Sequence, residues 1–138
     1  MQRLIAGLLA AAALSGCGST LTPLKDTDAI PPDRLFSAAN TTPGEGKQKI
    51  TVVRNGGTMI GSGMHLFLNV DGEKTAELGT NDAVEIYLAK GEHLLMVEPK
   101  FLSTSSAQLS AALVVPTKFP VYRIDINLSG PKFQPSID

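Results

Sequence analysis

Residues 82–99 read DAVEIYLAKGEHLLMVEP, and their spacing decides the fold. In the first half, Val84, Ile86 and Leu88 alternate with Glu85 and Tyr87. A period of two belongs to a β-strand that hides one face and wets the other, whereas a helix needs apolar residues three and four apart. Lys90-Gly91 marks a turn, and residues 91–99 resume as a second strand. Upstream, 62–70 (SGMHLFLNV) aligns Met64, Leu66, Leu68 and Val70 on one face. Asp71-Gly72 then offers the positive φ angles of a tight type I′ hairpin, and residues 73–78 return with Ala76 and Leu78 inward. Further upstream, 48–55 (QKITVVRN) is a β-branched strand closed by Asn55-Gly56-Gly57. Downstream, 119–128 (FPVYRIDINL) sets Tyr122, Ile124, Ile126 and Leu128 inward, with Arg123, Asp125 and Asn127 outward. Residues 105–115 (SSAQLSAALVV) carry enough Ala and Leu for a helix. Pro116 and the preceding Ser/Thr run favour a strand that buries Leu109, Ala111, Leu113 and Val115.

Seven such strands, separated by regular turn signals, predict an all-β chain folded as an antiparallel seven-stranded β-sandwich over residues 48–130. One-faced strands must be covered, so two sheets are expected to close over a shared core. A small barrel is the alternative. The chain has no Trp and one Cys, so an antibody-type core with its disulfide is not implied. Residues 131–138 (PKFQPSID), with two prolines, are expected to form an irregular tail. Residues 17–47 are rich in Gly, Pro, Ser, Thr and charge and are expected to form a tether. Within it, IPPDRLFSA (30–38) is an apolar island. Ile30, Leu35 and Phe36 are expected to dock on the body, with Asp33 or a neighbour capping one helical turn.

The N-terminus explains the single cysteine. Met1-Gln2-Arg3 precedes an apolar run from Leu4 to Leu14, within the roughly 7–15 residues of an export signal and short of the roughly 20 that span a bilayer. The run ends in Leu14-Ser15-Gly16-Cys17, which resembles a bacterial lipobox. That resemblance implies a diacylglycerol on the Cys17 thiol, removal of residues 1–16 as a signal peptide, and acylation, palmitate included, of the mature chain. Two or more acyl chains hold a protein stably at a membrane, where one does not. Gly18, where an aspartate would favour the inner membrane, implies the outer membrane, facing the periplasm.

The middle of the chain carries a second resemblance. Gly61-Ser62, Val70-Asp71-Gly72, the strand Val84 to Leu88 and Gly91-Glu92-His93 follow one another as in small bacterial lipoproteins and surface domains with a PEGA-like pattern. The likeness implies an Ig-like β-sandwich without enzymatic activity, and it supplies no functional residues to carry over.

The residues themselves offer little for catalysis. His65 and His93 stand alone, without the H-x-H, H-E-x-x-H or C-x-x-C spacing that converges on a metal, so no metal and no cofactor are expected. Ser62 sits in Gly61-Ser62-Gly63, which lacks the G-x-S-x-G of a nucleophile elbow. Residues 54–63 are glycine-rich but lack the lysine of a phosphate loop. Glu77, Glu85 and Asp125 are expected singly on outer faces. A formal net charge of −1 without a basic stripe points away from nucleic acid. Phe67 and Tyr87 fall opposite the apolar stripes and are the candidate partner-binding residues, exposed together or covered by IPPDRLF or the tail. The expected function is a non-catalytic binding or structural module for an envelope protein or peptidoglycan. The alternatives are an envelope glycan hydrolase, or an inhibitor or exclusion factor against a phage or toxin component.

Overall fold

A computed structural model describes residues 20–57, 63–101, 108–127 and 129–137. Cys17 and Ser62, and the signal peptide expected at 1–16, lie outside the described residues. The strands are β1 (Asp28–Ala29), β2 (Lys47–Arg54), β3 (Leu66–Val70), β4 (Glu73–Leu78), β5 (Asp82–Ala89), β6 (Gly91–Pro99), β7 (Leu109–Val115), β8 (Val121–Asn127) and β9 (Gly130–Ser136). A five-stranded sheet has the order β1-β5-β2-β8-β9, and a four-stranded sheet has the order β4-β3-β6-β7. The chain is therefore mostly β, in two layers.

Alternation fills the space between the layers. Ile50 and Val52 come from β2, Leu66, Leu68 and Val70 from β3, Val84, Ile86 and Leu88 from β5, and Tyr122 and Ile124 from β8. Leu68, Ile86 and Ile124 have no solvent exposure at all. The β3–β4 hairpin closes through Asp71 (φ 51°) and Gly72 (φ 84°), the positive pair a type I′ turn requires. Residues 109–115 are a strand, and their burial falls on Leu109, Ala111, Leu113 and Val115 as alternation predicts. Lys90 links β5 of one sheet to β6 of the other, and Gly91 absorbs the change of layer at φ 133°.

Four expectations are corrected. There are nine strands among the described residues and not seven, because β1 and β9 add an edge to each side of the larger sheet. The sheet is also not wholly antiparallel: β2 runs parallel to β8, and β1 parallel to β5. Between β2 and β8 the chain builds the other sheet and β5 on the far side of β2, then re-enters beside β2 in the same direction, a long connection of the kind parallel pairing demands.

The tail expected to be irregular pairs with β8 from Val121↔Ser136 to Asn127↔Gly130. Pro131 and Pro135 are compatible with this because β9 is an edge strand, whose outer side needs no N–H donors. Residues 20–47, expected to be a tether, are laid against the body. Thr22 is buried, Ile30 joins the core, and Leu35 forms a bridge with Ala76 of β4. Docking of 30–36 agrees with the apolar island in the sequence. Ser37 caps the short helix α1 (Ala38–Thr41) by accepting from the Asn40 N–H at 3.3 Å, where Asp33 was the first expectation.

Candidate functional site

The outer face of the four-stranded sheet carries a groove that joins aromatic and charged side chains. On β3, Leu66, Leu68 and Val70 face the core, so Phe67 must face out. The docked segment brings Phe36 over it through Phe36 N–H donating to the Thr75 carbonyl at 2.9 Å. The two rings meet edge to face, with centroids 6.1 Å apart and planes at 71°. This is a favourable aromatic geometry. Lys74, beside the hairpin turn, puts its ammonium 3.9 Å from the Phe67 centroid, within cation–π range. Phe36 remains 45% exposed. Asp33, Arg34, Glu77 and Lys100 complete a groove of about 600 Å³.

The polar wall of the groove is held from behind. Glu77, on β4 opposite Phe67, is buried and accepts from Lys100 Nζ at 2.9 Å and pairs with His65 Nδ1 at 2.6 Å. Desolvation pushes the Glu77 carboxyl up, but the hydrogen bonds and charges of Lys100 and His65 outweigh it and hold it below the usual carboxylate range. Arg34 reaches over the end of β4 to Asp82 Oδ2 at 2.7 Å and to the Glu77 carbonyl at 3.3 Å. Asp82 also accepts from the Gly79 N–H at 2.6 Å, which tightens the β4–β5 turn. The groove thus offers an aromatic floor beside ammonium and guanidinium groups whose positions are set by partners. That arrangement can hold an apolar or planar group next to an anion. Among the described residues that line it there is no Ser, Thr, Cys or His.

Phe67 and Tyr87 are not brought together. Tyr87 faces outward from β5, on the opposite sheet, where its hydroxyl donates to Glu85 at 2.9 Å. Parity placed each residue correctly on an outer face, but strand order put those faces on opposite sides of the molecule. The docked segment partly covers Phe67, as the covering alternative anticipated.

The histidines are also separated. His65 precedes β3 at one end of the four-stranded sheet. His93 sits at the other end, pairing with Asp71 Oδ2 at 2.7 Å through Nδ1 and with the Ala89 carbonyl at 2.7 Å through Nε2. Asp71 Oδ1 also accepts from the Leu94 N–H at 2.8 Å. Glu92 is exposed beside His93 on β6. Among the described residues, no three His, Cys, Asp or Glu side chains converge as metal ligands.

Two buried arginines escaped the sequence reading. Arg54 is 2% exposed and donates across the layers to the carbonyls of Met64 and Leu78, the latter at 3.2 Å. Its parity with Ile50 and Val52 was the available signal. Arg123 has the outward parity expected of it, yet it is buried under the N-terminal segment. There it donates to the Thr22 carbonyl and to Asn55 Oδ1, both at 2.7 Å. No local pattern in β8 announces that cover.

No protein-family model, curated protein or solved structure matches the chain.

Proposed function

We propose that this chain is a lipid-anchored lipoprotein of the bacterial cell envelope whose Ig-like sandwich acts as a non-catalytic binding module. The anchor is Cys17, acylated after cleavage of residues 1–16, and Gly18 favours the outer membrane. The binding site is the groove floored by Phe36 and Phe67. The observation that carries this reading is the edge-to-face pair of exposed Phe36 and half-buried Phe67, with Lys74 held 3.9 Å over the Phe67 ring. Exposed aromatics with a fixed cation beside them are typical anchors of a recognition surface. The partner is an envelope component, a protein or the peptide portion of peptidoglycan, that presents an apolar side chain next to a carboxylate. The histidines and the buried carboxylates support a non-catalytic role, because each is engaged in a contact that ties strands together.

Site-specific photocrosslinking in living cells tests the assignment. A photoreactive residue at Phe67 is expected to capture one defined envelope component, and Lys74→Glu is expected to abolish that capture. The same residue at Tyr87, on the other sheet, serves as the reference. Equal capture from both positions, or capture indifferent to Lys74→Glu, overturns the groove as the binding site.

A further inference from the structure

The end of the sandwich where the N-terminal segment is fastened carries two of its most exposed apolar side chains. Thr20 donates to the Gly56 carbonyl at 2.7 Å, just past the end of β2. Thr22 is locked beside it. Its N–H donates to Asn55 Oδ1 at 3.3 Å and its hydroxyl to Asn81 Oδ1 at 2.7 Å, while it accepts from the Gly56 N–H at 2.8 Å. The same end holds the start of β3 and the ends of β4 and β6. Asn81 N–H donates to the Arg54 carbonyl, Leu66 pairs with Leu78 and with Pro99, and Lys100 N–H donates to the His65 carbonyl. Leu21 is 62% exposed here, and Phe101, directly after Lys100, is 81% exposed. The Lys100 ammonium lies 5.6 Å from the Phe101 centroid.

This fastening changes what an anchor at Cys17 would mean. A free tether of about thirty residues would leave the body on the order of 30 Å from its lipid. Because Thr20 is already part of the body, the three chain steps from Cys17 to Thr20 span at most about 10 Å. The acyl chains must lie in the bilayer, so whatever surrounds Thr20 is held at the headgroup level. Leu21 and Phe101 are apolar side chains at that position. A ring flanked by a lysine suits the membrane interface, where the ring enters the acyl boundary and the ammonium stays with the phosphates.

We infer that the sandwich stands directly on the bilayer surface that holds the Cys17 lipid, with Leu21, Lys100 and Phe101 as its contact patch. The inference rests on the proposed acylation of Cys17. The strands then run away from the surface. The Asp71-Gly72 turn and Phe119 project roughly 25–30 Å outward, the length of seven to nine extended residues. The Phe36–Phe67 groove opens sideways, parallel to the membrane, toward partners in or near it.

The chain contains no Trp, so a single substitution provides a unique probe. The mature acylated protein carrying Phe101→Trp is purified from cells and reconstituted in phosphatidylethanolamine–phosphatidylglycerol vesicles whose acyl chains are brominated. Acylation is verified by mass. The expected result is loss of Trp emission by bromine quenching and a blue shift relative to detergent-free, lipid-free buffer. Phe119→Trp, half-exposed at the far end, should keep its emission. An acylated Phe101→Trp protein that is quenched no more than Phe119→Trp overturns the docking and leaves the anchor intact. Absence of acyl mass on Cys17 overturns the anchor itself, and the docking falls with it.

Discussion

At the scale of the residue, His93 is the side chain whose chemistry is most fully determined by its neighbours. A carboxylate faces one ring nitrogen and a carbonyl the other. Both are acceptors only, so the two contacts are satisfied together only by the imidazolium, and the site favours that form. Burial pushes the imidazole down, but the Asp71 and Ala89 hydrogen bonds and the Asp71 charge outweigh it and raise it above its ordinary value. Its contribution to stability is therefore complete below about 6.5 and is lost as pH rises through the raised value. Asp71 has the opposite sign. Desolvation raises it, yet the Leu94 N–H and His93 together hold it below the carboxylate range. Its contribution is present above that range and is lost as pH falls through the lowered value. The contact joining the β3–β4 turn to β6 is thus strongest in mildly acid solution. In an NMR titration the His93 midpoint should lie above about 6.5, and Asp71→Asn should lower it and speed hydrogen exchange at the Leu94 amide. A midpoint unmoved by Asp71→Asn would sink this account. Arg54 gives a second prediction at this scale. Burial lowers its guanidinium and the charge of Asp82 partly restores it. Arg54→Met keeps the stem but removes the donors to the buried Met64 and Leu78 carbonyls and the charge that faces Asp82, so urea unfolding should show a loss of about 3 kcal/mol. A loss below about 1 kcal/mol would mean that water replaces the guanidinium at little cost.

At the scale of the element, the pieces added to the expected seven strands cover what those strands leave open. Segment 30–36 lies along β4, an edge of the smaller sheet, and pairs Leu35 with Ala76. Covering an edge in this way removes a site for unwanted strand pairing. Leu35→Ala should cost about 2 kcal/mol by urea denaturation and should free Phe36 from Phe67, which near-ultraviolet circular dichroism would report. Retention of the aromatic signal would show that the Phe36–Thr75 hydrogen bond alone holds the segment. β9 is tied down by Phe133, whose ring lies 5.8 Å from that of Tyr122. Phe133→Ala should cost about 2–3 kcal/mol, because the ring is only partly buried and the cost stays below that of a full core aromatic. These elements were the hardest to read. Residues 130–136 have two prolines and no alternation, and an edge strand needs neither a full set of donors nor two covered faces. Residues 20–29 have almost no apolar residue facing the body. They are held through Thr22 to Asn55, Asn81 and Arg123, contacts spanning 33, 59 and 101 positions.

For the whole molecule, one core fed by seven strands of two sheets predicts a single cooperative transition. Leu68→Ala, at a site with no exposure, should cost about 2–5 kcal/mol. The loss should appear equally in far-ultraviolet circular dichroism and in the near-ultraviolet signal of the tyrosines. Two separated transitions would show that the sheets unfold independently and that the shared core is not the main source of stability. The far-ultraviolet spectrum itself should be β-dominated, with the short helix α1 making little contribution.

The sequence by itself determined which residues face inward. In β3, β5 and β7 each side chain stands on the face its parity dictates, because the pleat allows only two directions and water permits only one of them to apolar groups. It also determined the type I′ turn at Asp71-Gly72, since few residues tolerate two positive φ angles. The tertiary structure alone decided which strands are neighbours. That choice set Phe67 and Tyr87 on opposite sides of the molecule, ran β8 parallel to β2, and made a 20–47 segment of tether-like composition part of the body. Pairing and cover depend on hydrogen bonds and packing between residues remote in the chain, and local periodicity carries no record of them.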